Sequence, residues 1–170
     1  MSGAAFSFSI ELAPVQGGLA AVRELFEDLT PILDNIGAEG EASTVERFDT
    51  NIAPDGTPWA PSLRVQQQGG RTLVLNRDLQ YSINYQLDGP DAVEWGSGMI
   101  YAAIHQGGGE IRARNGGALA FTLATGQYVV VEKVTMPARP YLGLSTGDQA
   151  EILDIVSRHI TEAAQLGSAG

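Results

Sequence analysis

The side chains able to do acid–base, nucleophilic or metal chemistry are few and scattered. His105 and His159 stand far apart, and the chain has no cysteine, so neither zincin spacing nor a Cys/His ligand set is present. His105 follows Tyr101 and Ile104 in an apolar turn, where a half-buried structural or interface histidine is the ordinary role. His159 falls near the end of an expected helix, where a cation suits the macrodipole. Gly107-Gly108-Gly109 resembles a phosphate loop only superficially. Such a loop follows a strand, opens a helix and usually carries Lys with Ser or Thr. This triplet follows a helix-like run and precedes Glu110, and the single lysine is Lys133. Gly96-Ser97-Gly98 lacks the Gly-x-Ser-x-Gly spacing of a nucleophile elbow. Acid pairs such as Glu24/Asp28 and Glu27/Asp28 fall on helix faces open to water. No active site assembles from these residues, and no cofactor or metal is expected. A hydrolase using Asp55 or His105 is the remotest reading.

Residues suited to contact rather than turnover are more prominent. Trp59 follows the turn Pro54-Asp55-Gly56-Thr57-Pro58 and is either a core plug or an interface anchor, since Trp is enriched at binding hot spots. In Met136-Pro137-Ala138-Arg139-Pro140-Tyr141-Leu142-Gly143-Leu144-Ser145 two prolines hold the backbone extended and remove ladder donors. That stiff strip, with Arg139 and Tyr141, suits docking against a neighbour or against the body of the domain. Arginines gather at Arg64, Arg71 and Arg77 and again at Arg112 and Arg114. The candidate interface set is therefore Trp59, Arg64, Arg71, His105, Arg112, Arg139 and Tyr141.

The elements that must position these residues follow from periodicity. Phe6, Phe8, Ile10 and Leu12 alternate with polar residues as in a half-buried strand. Leu19, Val22, Leu25, Phe26 and Leu29 recur at helical steps until Thr30-Pro31, where Thr30 is the expected cap and Pro31 opens a second helix. Gly37 and Gly40 predict a bend in that helix. Residues 61–75 read as loop, a helical turn lies near Asp78-Leu79, and Ser82–Leu87 and Ala92–Trp95 read as strands. Met99–Gln106 reads as helix. Leu119–Leu123 and Gln127–Val134 flank Ala124-Thr125-Gly126 as a hairpin. Ile152, Leu153, Val156 and Ile160 mark a closing helix capped by Ser145 or Thr146. The expected fold class is α+β, an antiparallel sheet with N-terminal helices and a C-terminal helix packed on it. One domain is expected over residues 1–170, with a strand arm (1–15), a helical region (16–52), strands and long glycine-rich loops (53–145) and the last helix (146–166).

The 170 residues suffice for a real core. The 21 glycines are well above the usual ~7%, and loops 61–72 and 107–117 are expected to order against partners. Net charge is −10, concentrated in the helical regions, which argues against stable DNA binding. The acids either face solvent or line a channel from which they repel DNA. No apolar run reaches the ~20 residues of a membrane span, and the N-terminus lacks the pattern of a secretory signal. A soluble protein made in a reducing cytoplasm is expected.

Four blocks carry a resemblance: Arg47-Phe48 upstream of Pro54-Asp55-Gly56-Thr57-Pro58-Trp59, then Leu79-Gln80-Tyr81-Ser82-Ile83, then Tyr101-Ala102-Ala103-Ile104-His105-Gln106-Gly107-Gly108, then Met136–Ser145 followed by Asp148 and a helix. In these the chain resembles the phage virion morphogenesis family, the Mu-type and P2-type tail-completion proteins. It departs from the family pattern at Gly107, usually aromatic, and at Arg77-Asp78, usually Thr-Gly. The resemblance implies a non-enzymatic structural role in tail completion and head–tail joining at the neck. It implies subunits that form a ring, expected to be a hexamer, against adjacent neck and tail proteins, with DNA passing through without stable binding and no membrane. The expected location is the virion neck or tail, after assembly in the host cytoplasm. A minor head or decoration protein, or a phage-unrelated small binding module, are the alternatives.

Overall fold

The computed structural model describes residues 12–123 and 125–168. The strand expected over Phe6–Leu12 lies outside them except for Leu12, which caps the first helix. Helix α1 (Ala13–Glu27) and helix α2 (Thr30–Thr50) meet where the sequence broke its period. Thr30 is the first residue of α2 rather than its cap; its N–H donates to Asp28 Oδ1 at 3.0 Å. Asn51 closes α2 in the left-handed region (φ 56°), where Asn is tolerated because its amide bonds the local backbone. Here that amide donates to Phe48 O at 2.7 Å, and its Oδ1 accepts from Thr72 N–H at 2.8 Å.

Helix α2 runs unbroken through Gly37 and Gly40. These glycines make room rather than a bend. A Cβ on Gly40 would stand 2.6 Å from the Trp95 ring, and one on Gly37 would collide with the Tyr85 ring and Val93. Those side chains belong to an antiparallel hairpin, β1 (Ile83–Leu87) with β2 (Val93–Ser97), in which Tyr85 faces Trp95. The closing helix α6 (Thr146–Ser168) packs along α1 and α2. It opens with a capping box, in which Asp148 N–H donates to Ser145 Oγ at 3.1 Å and Asp148 Oδ2 accepts from Ser145 N–H at 2.6 Å. Short helices α3 (Leu63–Gln68), within the stretch expected as loop, α4 (Asp78–Tyr81) and α5 (Ala102–Gly107) complete the body.

The architecture is α+β, but the expected single sheet is divided. Three separate two-stranded antiparallel ladders occur among the described residues: β1 with β2, β3 (Gly109–Arg112) with β6 (Lys133–Met136), and β4 (Leu119–Thr122) with β5 (Tyr128–Val131). The run expected as one strand, Gln127–Val134, breaks at Glu132. Arg112 pairs with Lys133 and Leu119 with Val131, so residues 113–118 stand opposite Glu132 alone. A 3-10 turn at Arg114–Gly116, with Gly116 at φ 71°, absorbs that excess. The second and third ladders are thus successive halves of one long interrupted hairpin.

Candidate interface

The resemblance blocks converge on the interior of the subunit. Phe48 lies against Trp59 edge-on (centroids 5.5 Å apart, planes at 80°) and against Tyr141 at 5.3 Å, with Leu79, Ile83 and Ala102 completing the cluster. The proline-flanked strip is bolted to this core through its backbone. Gln106 Oε1 accepts from Tyr141 and Leu142 N–H at 2.9 and 3.0 Å, while its Nε2 donates to Leu142 O at 2.9 Å. Trp59 Nε1 donates to Pro140 O at 2.8 Å, Arg139 Nε to Ala60 O at 2.8 Å, and Tyr141 Oη to Ala102 O at 3.2 Å. Arg47, on α2, reaches Tyr141 O and Gly143 O at 2.9 and 3.0 Å and pairs with Asp148 of α6. The strip past Met136 joins no β-ladder, so its buried backbone groups take these side-chain partners instead.

Trp59, Arg139 and Tyr141, named as interface candidates, are therefore interior groups of the subunit, 6%, 3% and 1% exposed. The core and body-of-the-domain alternatives are the ones realised. Residue type could not decide this, because an aromatic ring or an arginine fork serves a core and an interface equally well.

Two of the remaining candidates share one face. Arg64 on α3 and His105 on α5 line a cavity of about 210 Å³ with Leu73, Leu75, Arg77 and Tyr101. Arg64 also fastens its own loop, donating to Gly69 O at 3.3 Å and Arg71 O at 2.6 Å. Arg71 pairs with Asp49, and Arg77 lies 3.9 Å from the same carboxylate. His105 packs edge-on against Tyr101 at 5.9 Å, and its Nδ1 is buried without a hydrogen-bond partner among the described residues. Burial, and then the charge of Arg139, hold its pKa below the ordinary value, so the ring is neutral at neutral pH. Leu73 (φ 64°) and Arg77 (φ 63°) are left-handed, uncommon for such side chains. Arg77, which clusters with Arg64 and Arg71 in the sequence but is not among the interface candidates, lines this face too, as does Leu75; the stretch 62–77, with three arginines and no acid, is the signal that marks it.

Arg112 lies elsewhere, on the interrupted hairpin. From Ala103 to Ala138 no residue whose burial is described is buried. Ile111, Phe121, Tyr128 and Val130 are exposed on this arm. Arg112 Nη2 and Lys133 Nζ each donate to Glu110 at 2.6 Å, and these bonds hold the Glu110 carboxyl below the usual range. At the base, Gly108 (φ 67°) passes so near Ala138 N that a Cβ would stand 2.6 Å away, so the arm leaves the body at a glycine-only crossing.

Exposed groups among the described residues include apolar, cationic and aromatic side chains and strand edges. The chain belongs to the phage virion morphogenesis family, whose model matches residues 10–161. It is 31% identical over 124 residues to "Mu-like prophage FluMu G protein 2" of Haemophilus influenzae, covering 73% of this chain and 72% of that one. It is also 31% identical over 133 residues to the G protein of Escherichia phage Mu, whose name assigns it provisionally to capsid assembly; 72% of this chain and 73% of that protein are covered. No solved structure matches the chain significantly. Its class is thus a virion assembly protein of a bacteriophage. Among the described residues no helix is long and apolar enough to cross a membrane.

Proposed function

We propose that this chain is a non-enzymatic structural subunit of the head–tail junction, which closes into a ring of copies during tail completion and joins neck and tail proteins. The observation that supports this best is the arm of residues 109–136. A two-stranded hairpin without a covering layer is marginal in water, and among the described residues each of its strands pairs along one edge only. Such an element gains its stability when a neighbouring copy adds a strand or covers an apolar face. Heterologous contacts of that kind generate rings when the rotation closes.

Helix acids suit a passage for DNA. Residues 13–50 carry eight acids against Arg23 and Arg47, so phosphates are repelled rather than held. Tight, salt-sensitive DNA binding by the purified protein at low ionic strength is incompatible with this. The name of the Mu relative favours a second reading, a part in building the head. Electron microscopy of particles made by an amber mutant of the gene separates the two. The junction role predicts full heads beside unjoined tails, whereas missing or aberrant heads beside normal tails overturn it.

A further inference from the structure

Among the described residues, two exposed faces of the subunit are complementary in charge and apolarity. The first surrounds the cavity between α3, α4 and α5, whose lining carries Arg64 and Arg77 beside one acid, Asp78, with Asp49 paired to Arg71 and 3.9 Å from Arg77. Leu75 lines the cavity and is 70% exposed; Ile100, which precedes the lining residue Tyr101, and Tyr81, at the end of α4, are 99% and 72% exposed. The turns bearing Tyr81 and Ile100 are tied together by Ser82 Oγ to Ser97 Oγ at 2.7 Å and Met99 N–H to Ser97 Oγ at 3.2 Å. Arginine and aromatic side chains around a recess are the composition of binding hot spots. The second face is the corner between α1 and α2, where Phe26 is 56% exposed and Glu24, Glu27 and Asp28 are all exposed. The one nearby base, Arg23, is shared with Glu27 at 3.4 Å.

We infer that the α1–α2 corner of one copy docks on the α3–α4–α5 face of the next. Phe26 covers the apolar rim of Leu75, Ile100 and Tyr101, and the corner carboxylates face Arg64 and Arg77. The inference rests on the self-assembly reading and names its surfaces. Helix α1 is packed on α6 and has no extensive contact with α3, α4 or α5. One copy therefore offers both faces at once, as a head-to-tail contact requires. Partners held by opposite charge associate faster and more tightly at low salt.

The chain has no cysteine, so Ile100→Cys gives a single attachment point for a benzophenone maleimide. After irradiation of assembled protein mixed from 15N-labelled and unlabelled copies, the expected cross-links run between copies to peptides within residues 13–35. Cross-links between copies to any other region, or within one copy alone, overturn the inference. Arg77→Glu is expected to weaken self-association roughly tenfold or more, and adding Glu24→Arg to recover part of the loss; unchanged association of Arg77→Glu also overturns it. Wild-type protein that sediments as a monomer throughout contradicts the self-assembly reading itself. Assembly with Ile100 cross-linked elsewhere contradicts only this pairing.

Discussion

Asp148 is 8% exposed at the start of α6, and burial alone favours its neutral form. Hydrogen bonds from Ser43 and Ser145 and the charge of Arg47 outweigh that burial and hold its pKa below the ordinary carboxylate value. A carboxyl depressed on folding stabilises the native state fully above its unfolded pKa, about 4, and loses that contribution as pH falls through the folded value. Thermal melts should therefore show stability falling below pH ~4. Asp148→Asn should cost about 3 kcal/mol at pH 7, because Arg47 is left buried without its counter-charge, and should flatten the acid limb. An unaltered acid limb in the variant counts against this assignment. Arg77 makes a different case. Left-handed backbone costs a non-glycine residue roughly 1–2 kcal/mol, while glycine costs about 0.5–1 kcal/mol in chain entropy. Arg77→Gly should leave the melting temperature nearly unchanged yet weaken assembly; a large loss of stability assigns Arg77 a structural role instead.

At the scale of elements, the sharpest contrast is between α2 and the arm. Gly40→Ala adds helix propensity of about 1 kcal/mol, but the added methyl meets Trp95. Overpacking costs about 1–3 kcal/mol, so denaturant unfolding should show net destabilisation. Replacing residues 111–131 by a short glycine linker removes no buried side chain among those described and should leave the body folded by circular dichroism while abolishing assembly. Amides of β4 and β5 should exchange fast in the free subunit and slowly in the assembly. Much of this layout was legible: Thr30-Pro31 marked the α1–α2 boundary, Ala124-Thr125-Gly126 the hairpin, and Ser145 the start of α6. The polar helix Leu63–Gln68 was not, since Leu-Arg-Val-Gln-Gln-Gln lacks an apolar period. Nor was the break at Glu132, because strand periodicity says nothing of which partner each half takes. Gly37 and Gly40 predicted a bend because propensity carries no knowledge of Tyr85 and Trp95 across the interface.

For the whole molecule, the candidate site was half legible for one reason: residue type does not report depth. Trp59, Arg139 and Tyr141 went inside, where they hold the proline strip to the core. Arg64 and His105 went to one face and Arg112 to the arm. Among the described residues, much apolar and hydrogen-bonding surface is exposed. Exposed hydrophobic side chains run from Leu19 and Phe26 on α1 through Leu75 and Ile100 to Val130 on the arm, surface the proposed assembly would draw on. The most direct test is native mass spectrometry of the purified chain across micromolar concentrations. A closed oligomer of one stoichiometry, six copies being expected, is the predicted result, and a monomer at every concentration contradicts the account.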